Sequence, residues 1–242
     1  MIVPEDVHFE REVFRQGSPV AVPAELTVGA DGGLKILAFS FAVPACEAFE
    51  REHGDDPLSE DALKSLTDAL SPLMLARGYD ECDTADYPLL DYRPGEVPCG
   101  IDTGGVTLID TLDGEEWDEG LPLEEFALDP ALPADRMAVV RDGEGRIVCF
   151  AGLNDISEDE GFCELNVECA EKYRGRGFGP ACTALLTAYL TGLGERVQYV
   201  TSCRNAPSVR CAEKAGLVLA NRVFPVVFRR SGEDDADFFD FT

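Results

Sequence analysis

The part of the sequence that most constrains the fold is an alternating strand that leads into a glycine-rich turn and a helix. Residues 162–169 alternate strictly between apolar and polar side chains, which predicts a half-buried strand. Three glycines then fall within Tyr173–Pro180, and a helix is predicted from Pro180 to about Leu193. Glycines let the backbone curl and present its amide N–H groups, and a helix N-terminus attracts negative charge. The segment therefore predicts an anion-binding turn, for which a diphosphate is the natural occupant.

The uneven distribution of charge points to the same region. The chain has 47 acidic and 20 basic residues and a formal net charge of −27, which excludes binding of nucleic acid or an anionic membrane by its general surface. Residues 171–230 nevertheless carry ten basic and only three acidic side chains. This basic island favours a site for a compact, strongly charged anion. A lobe that carries arginine on its surface explains the pattern equally well.

Several other chemistries are excluded by the residues that accompany this turn. A dinucleotide-binding fingerprint would have a glycine at Pro180, and the lysine–Ser/Thr pair of a P-loop is absent. The nine cysteines show no Cys-x-x-Cys spacing, which predicts reduced packing residues, Cys169 and Cys211 among them, and no metal site. Neither His8 nor His53 belongs to a nucleophile motif. Catalysis is therefore expected to rest on carboxylates, hydroxyls and backbone groups.

The remaining patterns predict a mixed α/β fold with an N-terminal α+β region. Paired strands are predicted at Pro19–Val28 and Leu34–Val43, followed by a helix from Ser59 that Pro72 kinks or splits. Further predicted elements are a strand at Val106–Ile109, a hairpin of Met137–Arg141 with Arg146–Leu153, a strand at Arg196–Cys203, a helix at Pro207–Ala215 and a strand at Val218–Phe228.

An acidic run surrounds the only tryptophan of the chain. Five acids lie within Asp113–Glu119, on both sides of Trp117. Charge and stacking at such a site suit a cationic substrate. A solvated acidic loop has the same composition, and both interpretations stay open at this point.

Two motifs together resemble the acetyl-CoA signature of the GNAT N-acetyltransferases. The first is Arg174-x-x-Gly177-x-Gly179, directly after a strand and at the start of a helix. The second begins at Asn205 and ends in Glu213-Lys214-Ala-Gly216-Leu217, which resembles the asparagine, helix and "EKxGF" ending of the family. Order and spacing agree over residues 136–230. The resemblance implies a GNAT-like twisted, mainly antiparallel sheet flanked by helices.

The resemblance also implies a division of the chain and a role for individual residues. Residues 106–230 would form the acetyl-CoA-binding domain, and residues 1–105 would lie on the acceptor side or act as a lid. From their composition alone, five acids and three phenylalanines, residues 231–242 are predicted to form an acidic aromatic tail or a docking strand. The strand that ends at Cys169 should splay from the 196–203 strand. Turn amides would then hold the CoA pyrophosphate, and backbone groups of the splayed strand would pair with pantetheine. The implied cofactor-binding residues are Val167, Cys169, Arg174, Gly175, Arg176, Gly177, Phe178, Gly179, Asn205 and Ser208.

The candidate catalytic residues match the family's pattern only in part, unlike the cofactor-binding residues. A base must take a proton from the attacking ammonium. Glu168 is the first choice and Glu164 the second, because the polar face of their strand would face the cleft; for either residue a surface carboxylate is the alternative. The family's tyrosine that protonates the departing thiolate would fall at Ala212. Thiolate departure is therefore left to water, to another residue, or to no catalysis at all.

We thus predict an N-acetyltransferase that moves an acetyl group from acetyl-CoA to a primary amine by direct attack in a ternary complex. The acceptor would be a small-molecule or peptide amine, and the acidic remainder of the chain favours a cationic one. A non-catalytic sensor or interaction module that binds CoA is the alternative. We expect a cytoplasmic protein, because the first residues lack the features of a secretory signal and no apolar run is long enough to span a membrane.

Overall fold

The computed structural model of the protein describes residues 1–5, 18–82, 88–95, 101–157 and 162–231. The fold is mixed α/β, as predicted. Its strands are β1 (Ile2–Pro4), β2 (Val20–Gly29), β3 (Leu34–Ala38), β4 (Glu81–Cys82), β5 (Leu89–Pro94), β6 (Val106–Ile109), β7 (Met137–Arg141), β8 (Ile147–Ser157), β9 (Phe162–Cys169), β10 (Val197–Ser202) and β11 (Leu217–Arg229). Its helices are α1 (Val43–His53), α2 (Glu60–Leu75), α3 (Phe178–Leu193) and α4 (Ala206–Lys214).

The chain divides into two compact units that interleave along the sequence. Unit 1 contains Met1–Leu90, Ser202–Arg204 and the residues from Ala220 onward, and unit 2 contains Asp91–Thr201 and Asn205–Leu219. No helix in the described ranges is long and apolar enough to cross a membrane. The predicted functional boundaries near residues 105 and 230 stay a prediction, and the predicted tail lies almost wholly outside the described residues.

Unit 1 is a sheet with two helices packed on it. Its strand order is β1–β3–β2–β11, and β4 also pairs with β11. β2 and β3 form the predicted hairpin, whose turn is closed by the Gly29 N–H, which donates to the Gly33 carbonyl at 2.9 Å. The buried core of this unit includes Leu26, Ile36, Phe49, Leu66, Leu70, Met74, Phe224, Val226 and Phe228.

The second strand of this hairpin is shorter than predicted. β3 ends at Ala38 rather than Val43, because the Phe39 carbonyl accepts hydrogen bonds from the N–H groups of Ala42 and Val43 and so starts α1. Pro44 lies in the first turn of that helix, where a missing N–H costs little. The sequence analysis missed α1 because it assigned the residues up to Val43 to a strand.

Helix α2 is not split at its proline. It begins after Ser59, as predicted, and continues through Pro72 to Leu75. Leu70 and Met74 are fully buried on either side of the proline, so packing holds this turn although one backbone hydrogen bond is lost.

Unit 2 contains the alternating strand and the glycine-rich turn. Its strand order is β5–β10–β9–β8–β7–β6, in which β9 and β10 are parallel and the pairs from β9 to β6 are antiparallel. β6, β7 and β9 have the predicted bounds. Helix α3 approaches the face of β9 that carries Val167, because a Cβ on Gly179 would lie 3.7 Å from the Val167 Cγ2 atom. A second core cluster includes Met137 and Val139 of β7, Phe150 of β8, and Leu121 and Leu123.

Candidate functional site

Strands β9 and β10 pair over only two residues. The parallel ladder joins Cys163 to Val197 and Glu164 to Gln198, and the Cys163 N–H donates to the Arg196 carbonyl at 2.8 Å. The ladder ends there, although both strands continue, to Cys169 and to Ser202. The splay that the resemblance implies is therefore present, and a gap opens beside the second half of β9.

The backbone of β9 presents polar groups to this gap. Ala170 N–H donates to the Val148 carbonyl at 3.0 Å, so these two opposite residues form a hydrogen-bonded pair. Pairs alternate along an antiparallel ladder, which makes Cys149–Cys169 and the Ala151–Val167 pair non-hydrogen-bonded. Val167 and Cys169 consequently turn their N–H and C=O groups away from β8 and toward the gap. The Cys169 carbonyl accepts one hydrogen bond, from Arg174 Nε at 2.9 Å.

The glycine-rich turn follows β9 and leads into α3. Gly175 and Gly177 have φ angles of +78° and +86°, a region that strains residues with a Cβ atom. Gly177 is the N-cap of α3, and Phe178, its first residue, is half-buried. Within the described part of the chain, the N–H groups of residues 175–177 have no acceptor at hydrogen-bonding geometry. The turn is thus lined with available amide donors at a helix N-terminus, as the sequence predicts.

Gly179 brings three elements together just behind the turn. A Cβ atom there would lie 3.3 Å from the Cys211 Sγ atom and 3.7 Å from the Val167 Cγ2 atom. The absence of a side chain therefore lets the first turn of α3 approach both β9 and α4. This close packing sets the amide-lined turn next to the gap.

The basic side chains of the turn are held by neighbours. Lys172 Nζ lies 2.6 Å from Asp118 Oδ2, and Arg176 Nη2 donates to the Lys172 carbonyl at 3.2 Å. The charged ends of Lys172 and Arg176 lie 5.3 and 5.0 Å from the centre of the Tyr173 ring. The basic island predicted from charge therefore includes a cluster around the turn.

The two candidate bases occupy different ends of β9. Glu164 lies at the paired end, opposite Gln198, and accepts a hydrogen bond from Asn154 Nδ2 at 3.3 Å. Glu168 lies at the open end, half-buried and next to the turn. Burial raises the pKa of Glu168, and the Arg174 charge and the Cys169 amide oppose this shift in part. A carboxylate with a raised pKa is a stronger base at neutral pH.

Asn205 and Ser208 belong to the start of α4. The Asn205 side-chain oxygen caps the helix by accepting the Ser208 N–H at 3.1 Å. The Ser208 hydroxyl lies 2.7 Å from the Tyr199 hydroxyl. The structure therefore brings the two predicted residues Asn205 and Ser208 together. The contact with Tyr199 links Ser208 to β10.

Tyr199 is the polar residue that the sequence analysis missed. It lies on β10 beyond the last paired residue and is 2% exposed. Burial and the neighbouring Cys211 and Glu168 raise the pKa of Tyr199, and the Ser208 hydrogen bond opposes this shift only in part, so the Tyr199 hydroxyl stays protonated. The available signal was its place among the alternating buried positions Val197, Tyr199 and Thr201 of β10. Ala212, where the family has its tyrosine, is fully buried.

The cysteines near the gap are packing residues. Each cysteine that the structure describes is a free thiol. A hydrogen bond to Cys149 and burial raise the pKa of Cys169, and burial raises the pKa of Cys211. Protonated thiols are poor nucleophiles, so both side chains fit the packing role predicted for them. No group of side chains suited to a metal ion occurs among the described residues.

The acidic run around Trp117 pairs with bases of the chain itself. Glu115 forms an ion pair with Arg141, and Asp118 forms one with Lys172. Trp117 bridges to Ile147 and packs against the core cluster of unit 2. These contacts favour the structural interpretation of the run over a site for a cationic substrate.

One family model matches part of the chain. Residues 116–218 match the model of the acetyltransferase (GNAT) domain. One similar solved structure is an acetyltransferase from the GNAT family of Colwellia psychrerythraea, with 12% identity over 94% of this chain and 91% of that chain and a TM-score of 0.48. Another is a GCN5-related N-acetyltransferase from Kribbella flavida, with 18% identity over 71% of this chain and 75% of that chain and a TM-score of 0.45. A search of curated proteins found no match.

Proposed function

We propose, because residues 116–218 match the model of the GNAT acetyltransferase domain, that the protein transfers an acetyl group from acetyl-CoA to a primary amine. The observation that carries the proposal is the gap beside β9, where Val167 and Cys169 present backbone polar groups. Pantetheine contains two amide groups, which can pair with such an edge as a short added strand. The amide-lined turn at the start of α3 lies at the end of the same strand and suits the CoA diphosphate.

The reaction would proceed by direct attack of the amine on the thioester. Glu168 takes a proton from the acceptor ammonium, and the neutral nitrogen attacks the carbonyl carbon. A backbone N–H of Val167 or Cys169 stabilises the negative charge that develops on the carbonyl oxygen. The carbon–sulfur bond then breaks, the acetyl group stays on nitrogen, which releases its second proton to solvent, and the thiolate leaves with CoA.

Tyr199 is our choice to supply the proton that the leaving thiolate takes up. Its hydroxyl is protonated and lies against Ser208 and Cys211, beside Gly179 and the start of α3. The Ser208 hydroxyl, which lies 2.7 Å from the Tyr199 hydroxyl, then passes a proton from solvent to the phenolate. This assignment replaces the tyrosine that the family would have at Ala212.

A CoA-binding sensor without catalytic activity is the second candidate. The observation that favours it is the apolar, fully buried Ala212 at the position of the family's proton donor. Release of free thiol from acetyl-CoA, measured over a panel of amines, separates the two functions. Binding of CoA without amine-dependent thiol release would support the sensor.

Thermal unfolding with ligands tests the binding site itself. CoA and acetyl-CoA should raise the Tm, because a ligand that binds only the folded state stabilises it. ATP and NAD should raise it much less, because they lack pantetheine. Equal shifts with every ligand would indicate a general anion site and contradict the proposal.

A pair of glycine variants locates the site. Gly177→Val should abolish the CoA-dependent Tm shift, because the side chain would occupy the space of the diphosphate. Gly32→Val is the matched control, since Gly32 has a φ of +80° and open space around it but lies in the β2–β3 turn of unit 1. Both variants should lose about 1–2 kcal/mol of stability from backbone strain. A retained CoA shift in Gly177→Val would place the site elsewhere.

A further inference from the structure

Asp142 is a carboxylate of unit 2 that accepts several hydrogen bonds, and the proposed reaction does not use it. Its side chain is 7% exposed and lies in the turn between β7 and β8. Oδ1 accepts the N–H groups of Glu144 and Arg146 at 2.9 and 3.0 Å. Oδ2 accepts the Arg146 guanidinium, with Nη2 at 2.9 Å. These bonds make the carboxylate a fixed point at the end of the hairpin.

Asp142 makes one further contact, to the residue just before the glycine-rich turn. The Tyr173 hydroxyl donates to Asp142 Oδ2 at 3.2 Å. The Tyr173 ring packs on the core cluster that contains Phe150 and Ala170. Tyr173 is thus held at both its ring and its hydroxyl, and it joins the hairpin to the turn.

Side chains also restrain the glycine-rich turn, since Arg174 Nε donates to the Cys169 carbonyl at 2.9 Å and Arg176 Nη2 donates to the Lys172 carbonyl at 3.2 Å. Gly175 and Gly177 have wide conformational freedom, and Arg174 and Arg176 are exposed. The amides that would bind a diphosphate make no bonds that fix them within the described part of the chain. The conformation of residues 174–177 therefore depends in part on the positions of Tyr173 and the N-cap of α3, which hold the two ends of this segment.

We propose that Asp142 is a positioning residue that acts through the Tyr173 hydroxyl to hold residues 174–177 in the conformation that binds the diphosphate of CoA. The inference rests on the proposed function, because it needs CoA as the ligand. A protein whose binding-competent conformation is only partly populated binds its ligand more weakly by that fraction. Loss of the Asp142–Tyr173 contact therefore weakens CoA binding without removing any group that touches CoA.

The test compares two tyrosines of unit 2 as phenylalanine variants. Tyr173→Phe removes the hydroxyl and keeps the ring, and Tyr189→Phe is the control, since the Tyr189 hydroxyl donates to the Pro133 carbonyl on another part of the unit. Titration calorimetry with CoA should give an increase in Kd of about threefold to tenfold for Tyr173→Phe, as expected for the loss of one typical hydrogen bond. The Tyr189→Phe variant should bind CoA like the wild type.

Limited trypsin digestion supplies a second measurement that a direct contact with CoA would not change. Lys172, Arg174 and Arg176 are cleavage sites within the turn. Cleavage there, without ligand, should be faster in Tyr173→Phe than in the wild type and the control. Adding Asp142→Asn to Tyr173→Phe should weaken CoA binding no further, because both changes remove the same contact.

The outcomes separate this inference from the proposed function. Wild-type protein that does not bind CoA overturns the proposed function and the inference with it. Wild-type binding with an unchanged Kd for Tyr173→Phe overturns the positioning role alone. Weaker binding with an unchanged cleavage rate also overturns it, since Tyr173 would then contact the ligand directly.

Discussion

Glu168 is the side chain whose replacement tests the chemistry most directly. Glu168→Gln keeps the size and removes the basicity, so turnover should fall by roughly 10²–10⁴-fold, the range of acid–base catalysis. CoA affinity measured by calorimetry should barely change. Glu164→Gln tests the second candidate base, which lies on the same strand at its paired end. Equal turnover in both variants and the wild type would remove Glu168 from the mechanism.

The raised pKa of Glu168 also predicts a pH dependence of stability. The protonated form is favoured in the folded state, so this group contributes stability below the ordinary carboxylate pKa, and the contribution is lost as pH rises through the higher folded pKa. Glu168→Gln has no such loss and should become more stable relative to the wild type as pH rises from acid to neutral. Urea unfolding at a series of pH values measures this difference. A constant difference would mean that Glu168 titrates normally.

Tyr199 offers a separate test of proton supply. Tyr199→Phe should lower turnover on the order of 10²-fold and leave CoA affinity unchanged. Because its pKa is raised, the phenol stays protonated, and the rate should show no loss near the ordinary tyrosine pKa. Initial rates of thiol release between neutral and alkaline pH check both points. Full activity of Tyr199→Phe would leave the thiolate to be protonated by water.

Pro72 lowers the stability of helix α2, and a substitution there can test this. Pro72 is exposed and lies within the helix, where it removes one backbone hydrogen bond. Pro72→Ala should raise the free energy of unfolding by about 1–2 kcal/mol, less than the full helix-interior effect because the site is in the last turn. Chemical denaturation measures the change, and CoA binding should not respond. A loss of stability would show that the proline ring itself packs in a way that alanine cannot replace.

How far the sequence predicts an element depends on how local its determinants are. The bounds of β6, β7 and β9 follow from alternation and nearby turn residues, and the glycine-rich turn follows from its glycines. Helix α1 cannot be predicted in this way, because its first residues are apolar and look like the continuation of the preceding strand. Only the burial of Cys46 and Phe49 in the core distinguishes the segment as a helix. Tyr199 and the Asp118–Lys172 pair depend on residues distant in sequence, so no local pattern indicates them.

At the scale of the whole molecule, β11 makes the N-terminal region necessary for folding. Eight residues of β11 pair with β2, and Phe224, Val226 and Phe228 are buried in the core of unit 1. A shortened chain that starts near Cys99 would expose these three side chains, at a cost of about 1.5–3 kcal/mol each. It should therefore be insoluble or self-associate, which gel filtration measures.

Supplying residues 1–98 as a separate chain is the control for that experiment. Co-expression should restore soluble protein, because it restores the strands and helices that cover β11. A shortened chain that is monomeric and binds CoA alone would contradict the requirement. Such a result would make β11 stable without its partner strand.

The pairing of β2 with β11 also has a consequence for synthesis on the ribosome. Gly29 pairs with Asn221, so the sheet of unit 1 stays incomplete until almost all of the intervening chain has been translated. Unit 2 can begin to fold earlier, since its strands β5 to β10 are closer together in sequence. The nascent N-terminal segment must meanwhile keep Leu26 and Ile36 from association with other chains, and chaperone binding during that interval would increase the yield of native protein.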